Sequence, residues 1–181
     1  MIVRYMGVGL LSCLVSFTAL AQRSLENMVS DADAEWMFGK WQAQTENGDP
    51  VMLNVSWDLD KHVILLHVKI GDTENKGYTV MEPKVEQPKY YSFDNKGTIG
   101  KGTWGMENNE LVLRVESESP DRGPWKAGFV FTGSASTGLQ VRMHSVDSSG
   151  DLATPARATF KFTKEKKEAP AKEKKQESAK Q

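Results

Sequence analysis

The stretch Phe38-Gly39-Lys40-Trp41-Gln42-Ala43-Gln44-Thr45 decides how the rest of the chain is read. Trp41, Ala43 and Thr45 alternate with Lys40, Gln42 and Gln44, the period of two of a strand with one dry and one wet face. Just before it, Asp31 to Phe38 reads as a short helical stretch. A Gly-X-Trp at the mouth of a first strand places a large indole where it can plug the base of a closed up-and-down β-barrel.

Outward from that strand the same pattern repeats. Asn47-Gly48-Asp49-Pro50 turns the chain, and Val51, Leu53, Val55 and Trp57 then share one face. After Asp58-Leu59-Asp60-Lys61, the segment His62 to Ile70 is apolar on nearly both faces, with Ile64, Leu66, Val68 and Ile70 the better inward set. Tyr78 to Met81, Tyr90 to Phe93 and Thr98 to Trp104 form the middle of the chain, the last two joined by Asp94-Asn95-Lys96-Gly97. Leu111, Leu113 and Val115 are apolar at odd positions, and Trp125, Ala127, Phe129 and Phe131 share one face after the turn at Pro120 to Pro124. Leu139, Val141 and Met143, then Ala156, Ala158, Phe160 and Phe162, complete the pattern.

About ten one-sided strands joined by short loops predict an all-β, antiparallel fold. Two packed sheets or one closed sheet would bury such faces. The meander order favours an up-and-down barrel of about ten strands, because closure removes exposed edges. Gly97, Gly100 and Gly102 within one segment fit the strong coiling of a small barrel. A short N-terminal helix would close one end.

The two ends of the chain read differently. Arg4, the apolar run Tyr5 to Thr18 and the small-X-small pattern Ala19-Leu20-Ala21 predict a secretory signal peptide over 1–21, with the mature chain beginning near Gln22. A retained anchor would need roughly 20 apolar residues. Leu10-Leu11-Ser12-Cys13 loosely resembles a lipobox, but the apolar run continues past Cys13. Cys13 is the only cysteine, so the mature protein carries no disulfide and relies on its core. Residues 22–163 suffice for one barrel domain. From 164 to 181 the chain turns to Lys, Glu, Ala, Gln and Pro, with seven lysines against four glutamates; it predicts a disordered basic tail. Such a tail is either a solvated appendage or a weak handle for an anionic envelope.

With the whole chain at a net charge of −1 and its tail basic, the folded part is acidic, which argues against nucleic acid as a partner. No catalytic residue or metal site is expected. His62 and His67 fall on opposite faces of one strand, His144 stands alone, and Asp58 with Asp60 reads as a turn. Gly133-Ser134-Ala135-Ser136-Thr137-Gly138 reads as a hairpin loop, and no phosphate-binding or dinucleotide fingerprint occurs. These features predict a non-enzymatic protein with no cofactor.

The segment Ala34 to Trp41, together with Ser56-Trp57-Asp58-Leu59-Asp60 and Tyr91 to Trp104, resembles bacterial exported lipocalin-like domains of the calycin type, of unknown function. The resemblance spans roughly 34–162; its specific parts are the Gly-X-Trp start and the hairpin ending Gly102-Thr103-Trp104. It implies a barrel that binds a small apolar ligand. Lipocalins usually set an arginine from the last strand over the first-strand Trp, whereas Arg142 and Arg157 here fall on the outward face. By parity the ligand-binding lining is Val55, Trp57, Leu66, Tyr91, Phe93, Trp104, Leu113, Phe129, Phe131 and Met143. No inward cation is expected to clamp a carboxylate, so the expected ligand is neutral or weakly polar, met by aromatics and the Tyr91 hydroxyl. The alternative is a filled barrel, a non-catalytic interaction or envelope-associated domain.

Overall fold

A computed structural model describes residues 24–83, 85–134 and 136–165. The expected leader and the tail beyond Glu165 lie outside the described residues. Ser24 caps helix α1 (Leu25–Asp31) by accepting a hydrogen bond from Asn27 N at 3.1 Å. Leu25 and Val29, one turn apart, form its buried face. A 3-10 turn (Glu35–Met37) follows. The helix thus lies ahead of the Asp31–Phe38 stretch that reads as helical in the sequence, and only the 3-10 turn falls within that stretch.

Ten strands then run in sequence. They are β1 (Gly39–Gln44), β2 (Pro50–Asp58), β3 (Val63–Ile70), β4 (Thr73–Val80) and β5 (Lys89–Asp94), then β6 (Ile99–Glu107), β7 (Glu110–Ser119), β8 (Gly123–Ser134), β9 (Gly138–Ser145) and β10 (Ala158–Lys164). Each pairs antiparallel with its neighbour, and β1 pairs with β10 through Trp41↔Lys164 and Gln42↔Thr163. The sheet is therefore a closed up-and-down barrel, as the alternation and meander predict. Strand β10 takes in Lys164, the first residue of the segment expected to be tail, and Glu165 N donates to Lys40 O at 2.9 Å.

The core fills the barrel. Trp41, Val51, Leu53, Val55, Leu66, Leu113, Phe131, Leu139 and Phe162 are all buried, and Leu25 and Val29 of α1 join the same cluster. Trp41 donates its indole N–H to Met37 O at 2.8 Å, so the buried plug is tied to the 3-10 turn that leads into it. Val112 and Val130 sit at outward positions and are nevertheless buried. Near them the connection between β9 and β10 folds back: Leu152 lies so close to Gly128 that a Cβ there would stand 2.1 Å from it. A small satellite core on the outer wall results, which alternation alone does not predict.

Candidate ligand cavity

Strands β2, β4, β6, β8 and β10 end, and β1, β3, β5, β7 and β9 begin, at the end of the barrel that α1 covers. There a cavity of about 300 Å³ lies between the helix and the barrel. Leu25, Met28, Val29 and Ala32 form its helical side, Ile64, Thr79, Trp104 and Leu111 its barrel side, and Gln87 and Pro88 border it from the β4–β5 connection. Helix α1 is held over this end by burial of Leu25 and Val29 and by an ion pair from Lys61, in the β2–β3 turn, to Glu26. The volume is at the lower edge of the usual range for small-molecule pockets, about 300 to 1,000 Å³.

The barrel wall of the cavity carries one polar pair. Trp104 donates its indole N–H to Thr79 Oγ1 at 2.9 Å, and Thr79 is only 2% exposed. The register runs from Thr79 through Tyr90 on β5 to Gly102 on β6, and Trp104, the next inward residue of β6, reaches across β5 to the Thr79 hydroxyl. Trp104 also packs against Phe131, with ring centroids 5.2 Å apart, which holds the indole in place.

Of the residues expected to line a ligand site, Trp104 alone lines this cavity. Val55, Leu66, Leu113 and Phe131 are buried in the packed core, and Trp57 and Phe129 pack against it. Trp57 stacks on Phe38, with centroids 4.8 Å apart. Met143 is half-buried and pairs with Phe129 and Ala158.

Tyr91 and Phe93 require correction. Both face outward: Phe93 is 51% exposed, and the inward residues of β5 are Tyr90 and Ser92, at 6% and 4%. The reason is steric. Tyr90 lies opposite Gly102 on β6 and reaches over Gly77 on β4, where a Cβ would come within 2.2 Å of its hydroxyl oxygen; Gly77 makes room for that ring. Burial pushes the Tyr90 hydroxyl above its ordinary range, partly offset by a hydrogen bond with Ser92. Tyr91 instead donates to Glu82, and that hydrogen bond, more than burial or the Glu82 charge, raises its hydroxyl. It lines a second space, of about 440 Å³, with Lys89, Lys101, Arg114, Glu116 and Lys126.

The cation missing from the sequence reading comes from the last residue of β10. Lys164 Nζ lies 5.0 Å from the centroid of the Trp41 ring. Neither α1 nor Thr79 was among the expected site residues. Leu25 and Val29, four apart just after Ser24, carry a helix signal that could have found α1; an isolated threonine carries none.

No cluster of three or more His, Cys, Asp or Glu able to hold a metal occurs among the described residues. No helix among the described residues is long and apolar enough to cross a membrane. No protein-family model matches this chain, and no curated protein is similar enough to match it.

Proposed function

We propose that this protein is an exported, lipocalin-like binding protein that holds a small apolar, neutral or weakly polar ligand beneath α1, and that it carries no chemistry of its own. The observation that carries this reading is the apolar cavity of about 300 Å³ between α1 and Trp104. The barrel interior is packed, so the space offered to a ligand lies at the helix-covered end. Of its lining side chains Asp31 alone is charged, and it is an acid, so an anionic ligand gains no partner there. Export follows from the leader pattern of residues 1–21, and the basic tail would add a weak attraction to an anionic envelope.

Native mass spectrometry of the protein purified from its own host, joined to displacement of a neutral apolar fluorophore, tests the reading. A co-purifying small molecule that competes with the fluorophore supports it. Absence of both a bound molecule and fluorophore binding overturns it.

A second reading, a filled barrel that docks on an envelope component, draws on the outer wall. Phe93 and Ile99 pair across β5 and β6 and are 51% and 48% exposed. On that reading, Phe93→Ser or removal of residues 165–181 shifts the protein from the envelope fraction to the soluble fraction; an unchanged distribution counts against it.

A further inference from the structure

We propose that Thr79 sets the ligand class of this cavity: a neutral lipophile carrying one hydrogen-bond acceptor, such as a ketone, ester or ether oxygen, and no charge. This rests on the binding reading above and narrows it.

Trp104 Nε1 can only donate, and it donates to Thr79 Oγ1 at 2.9 Å. That oxygen therefore accepts, and the hydroxyl proton of Thr79 must point elsewhere. Among the described residues nothing accepts it: the contact with Trp104 is the one side-chain hydrogen bond that Thr79 makes. A hydroxyl that is 2% exposed has no ready access to bulk water, so its donor is left over at a wall the cavity already touches.

The indole also polarises the hydroxyl. A group that accepts a hydrogen bond becomes a better donor, so the chain Trp104 N–H to Thr79 O–H to ligand oxygen is cooperative. Of the rest of the lining, Leu25, Val29, Ile64, Met37 and Leu111 are apolar, and the two other polar side chains, Asp31 and Gln87, are exposed residues. A ligand that brings its own acceptor satisfies the site. A pure hydrocarbon leaves the Thr79 proton unpaired, and a carboxylate is desolvated against one hydroxyl with no cation beside it.

Displacement of the neutral fluorophore N-phenyl-1-naphthylamine by matched probes tests this on the whole mature chain. The probes are 2-nonanone, 1-nonene and the nonanoate anion. In the unmodified protein the ketone should displace the dye at about 3- to 10-fold lower concentration than the alkene, the usual worth of one net hydrogen bond, and nonanoate should be weakest. Thr79→Ser, which keeps the hydroxyl, should retain the ketone preference, and Thr79→Val should abolish it. Equal displacement by ketone and alkene in the unmodified protein overturns the proposal while leaving apolar binding intact. Failure of the dye itself to bind overturns the underlying binding reading and this proposal with it. The comparison of probes on the unmodified protein decides the matter even if Thr79→Val does not fold.

Discussion

Lys164 Nζ stands 5.0 Å from the centroid of the Trp41 ring, so the last strand lays a cation across the indole that the first strand buries. The two residues are direct partners in the β1–β10 register that closes the barrel. The lysine stem crosses Gly39, whose φ of +130° is the feature that favours glycine there. One contact thus joins the seam of the barrel, its plug and its opening glycine.

Trp41→Ala should destabilise the fold by about 3 to 5 kcal/mol, because a 2% exposed indole leaves a cavity that the closed sheet cannot collapse to fill. Lys164→Met, which keeps the stem and removes the charge, should cost about 0.5 to 1 kcal/mol. Denaturant melts of both variants check this; a Trp41→Ala loss below about 1 kcal/mol would mean that the indole is not a structural plug.

Gly102→Ala should be severely destabilising, whereas Gly105→Ala should be close to neutral. A Cβ at Gly102 would stand 2.2 Å from Arg114 O, a backbone atom of the paired strand that has nowhere to go, while a Cβ at Gly105 meets nothing within 4 Å. The expected losses are about 3 kcal/mol or more against less than about 0.5 kcal/mol. Thermal melts of the two variants side by side provide the comparison, and similar melting temperatures would refute the close β6–β7 approach.

Acid should weaken the fold partly through Glu107. Hydrogen bonds from Arg114, one of them Nη2 to Oε2 at 2.9 Å, hold the Glu107 carboxyl below its ordinary value of 4.5, with burial opposing. Asp94 is also lowered: burial opposes, but hydrogen bonds from Thr98 and Lys96 outweigh it. A carboxyl lowered on folding stabilises above its unfolded pKa, and that contribution disappears as pH falls through the folded value. Stability should therefore decline below about pH 4.5. Melting temperatures taken from pH 6 to pH 3 should fall less steeply in Glu107→Gln than in the unmodified protein; parallel curves would remove Glu107 from the acid response.

Ala32→Phe should abolish binding of a neutral apolar fluorophore while leaving the melting temperature within a few degrees. Ala32 lines the cavity from the C-terminal cap of α1, so a phenyl ring there occupies the space without disturbing the barrel strands. Undiminished fluorophore binding in this variant would place the site elsewhere.

Expression of the full chain in a host with a Sec export pathway should yield a mature N-terminus at or near Gln22. N-terminal sequencing or intact mass reads this directly. A lipidated N-terminus at Cys13, or an intact Met1, would refute the cleavage site.

Where polar residues alternate with apolar ones, the interior was legible without coordinates. Leu53 and Val55 on β2, and Leu113 and Val115 on β7, each have a polar neighbour that settles the face, and all are buried. The segment Lys89-Tyr90-Tyr91-Ser92-Phe93-Asp94 offers no such contrast, since aromatics stand at both parities. Its face is decided by what lies across the sheet. Gly77 leaves room for the Tyr90 ring, and Ser92 lies against Gly100, so Tyr91 and Phe93 turn out.

Alternation of side chains along the backbone is a local property, and it was enough to determine ten antiparallel strands and the buried Trp41, but not the start of β4, because Thr73 to Gly77 carry no apolar residue. Which residues meet at the end of the barrel is not local. Thr79 and Trp104 lie 25 positions apart, and Lys164 reaches Trp41 from the opposite end of the sheet order. Only closure of the barrel brings these groups together, because register across the whole sheet, summed over ten strands, sets which side chains share a layer. The cavity under α1 likewise depends on a helix docked by Leu25 and Val29 at a distance that no sequence period encodes.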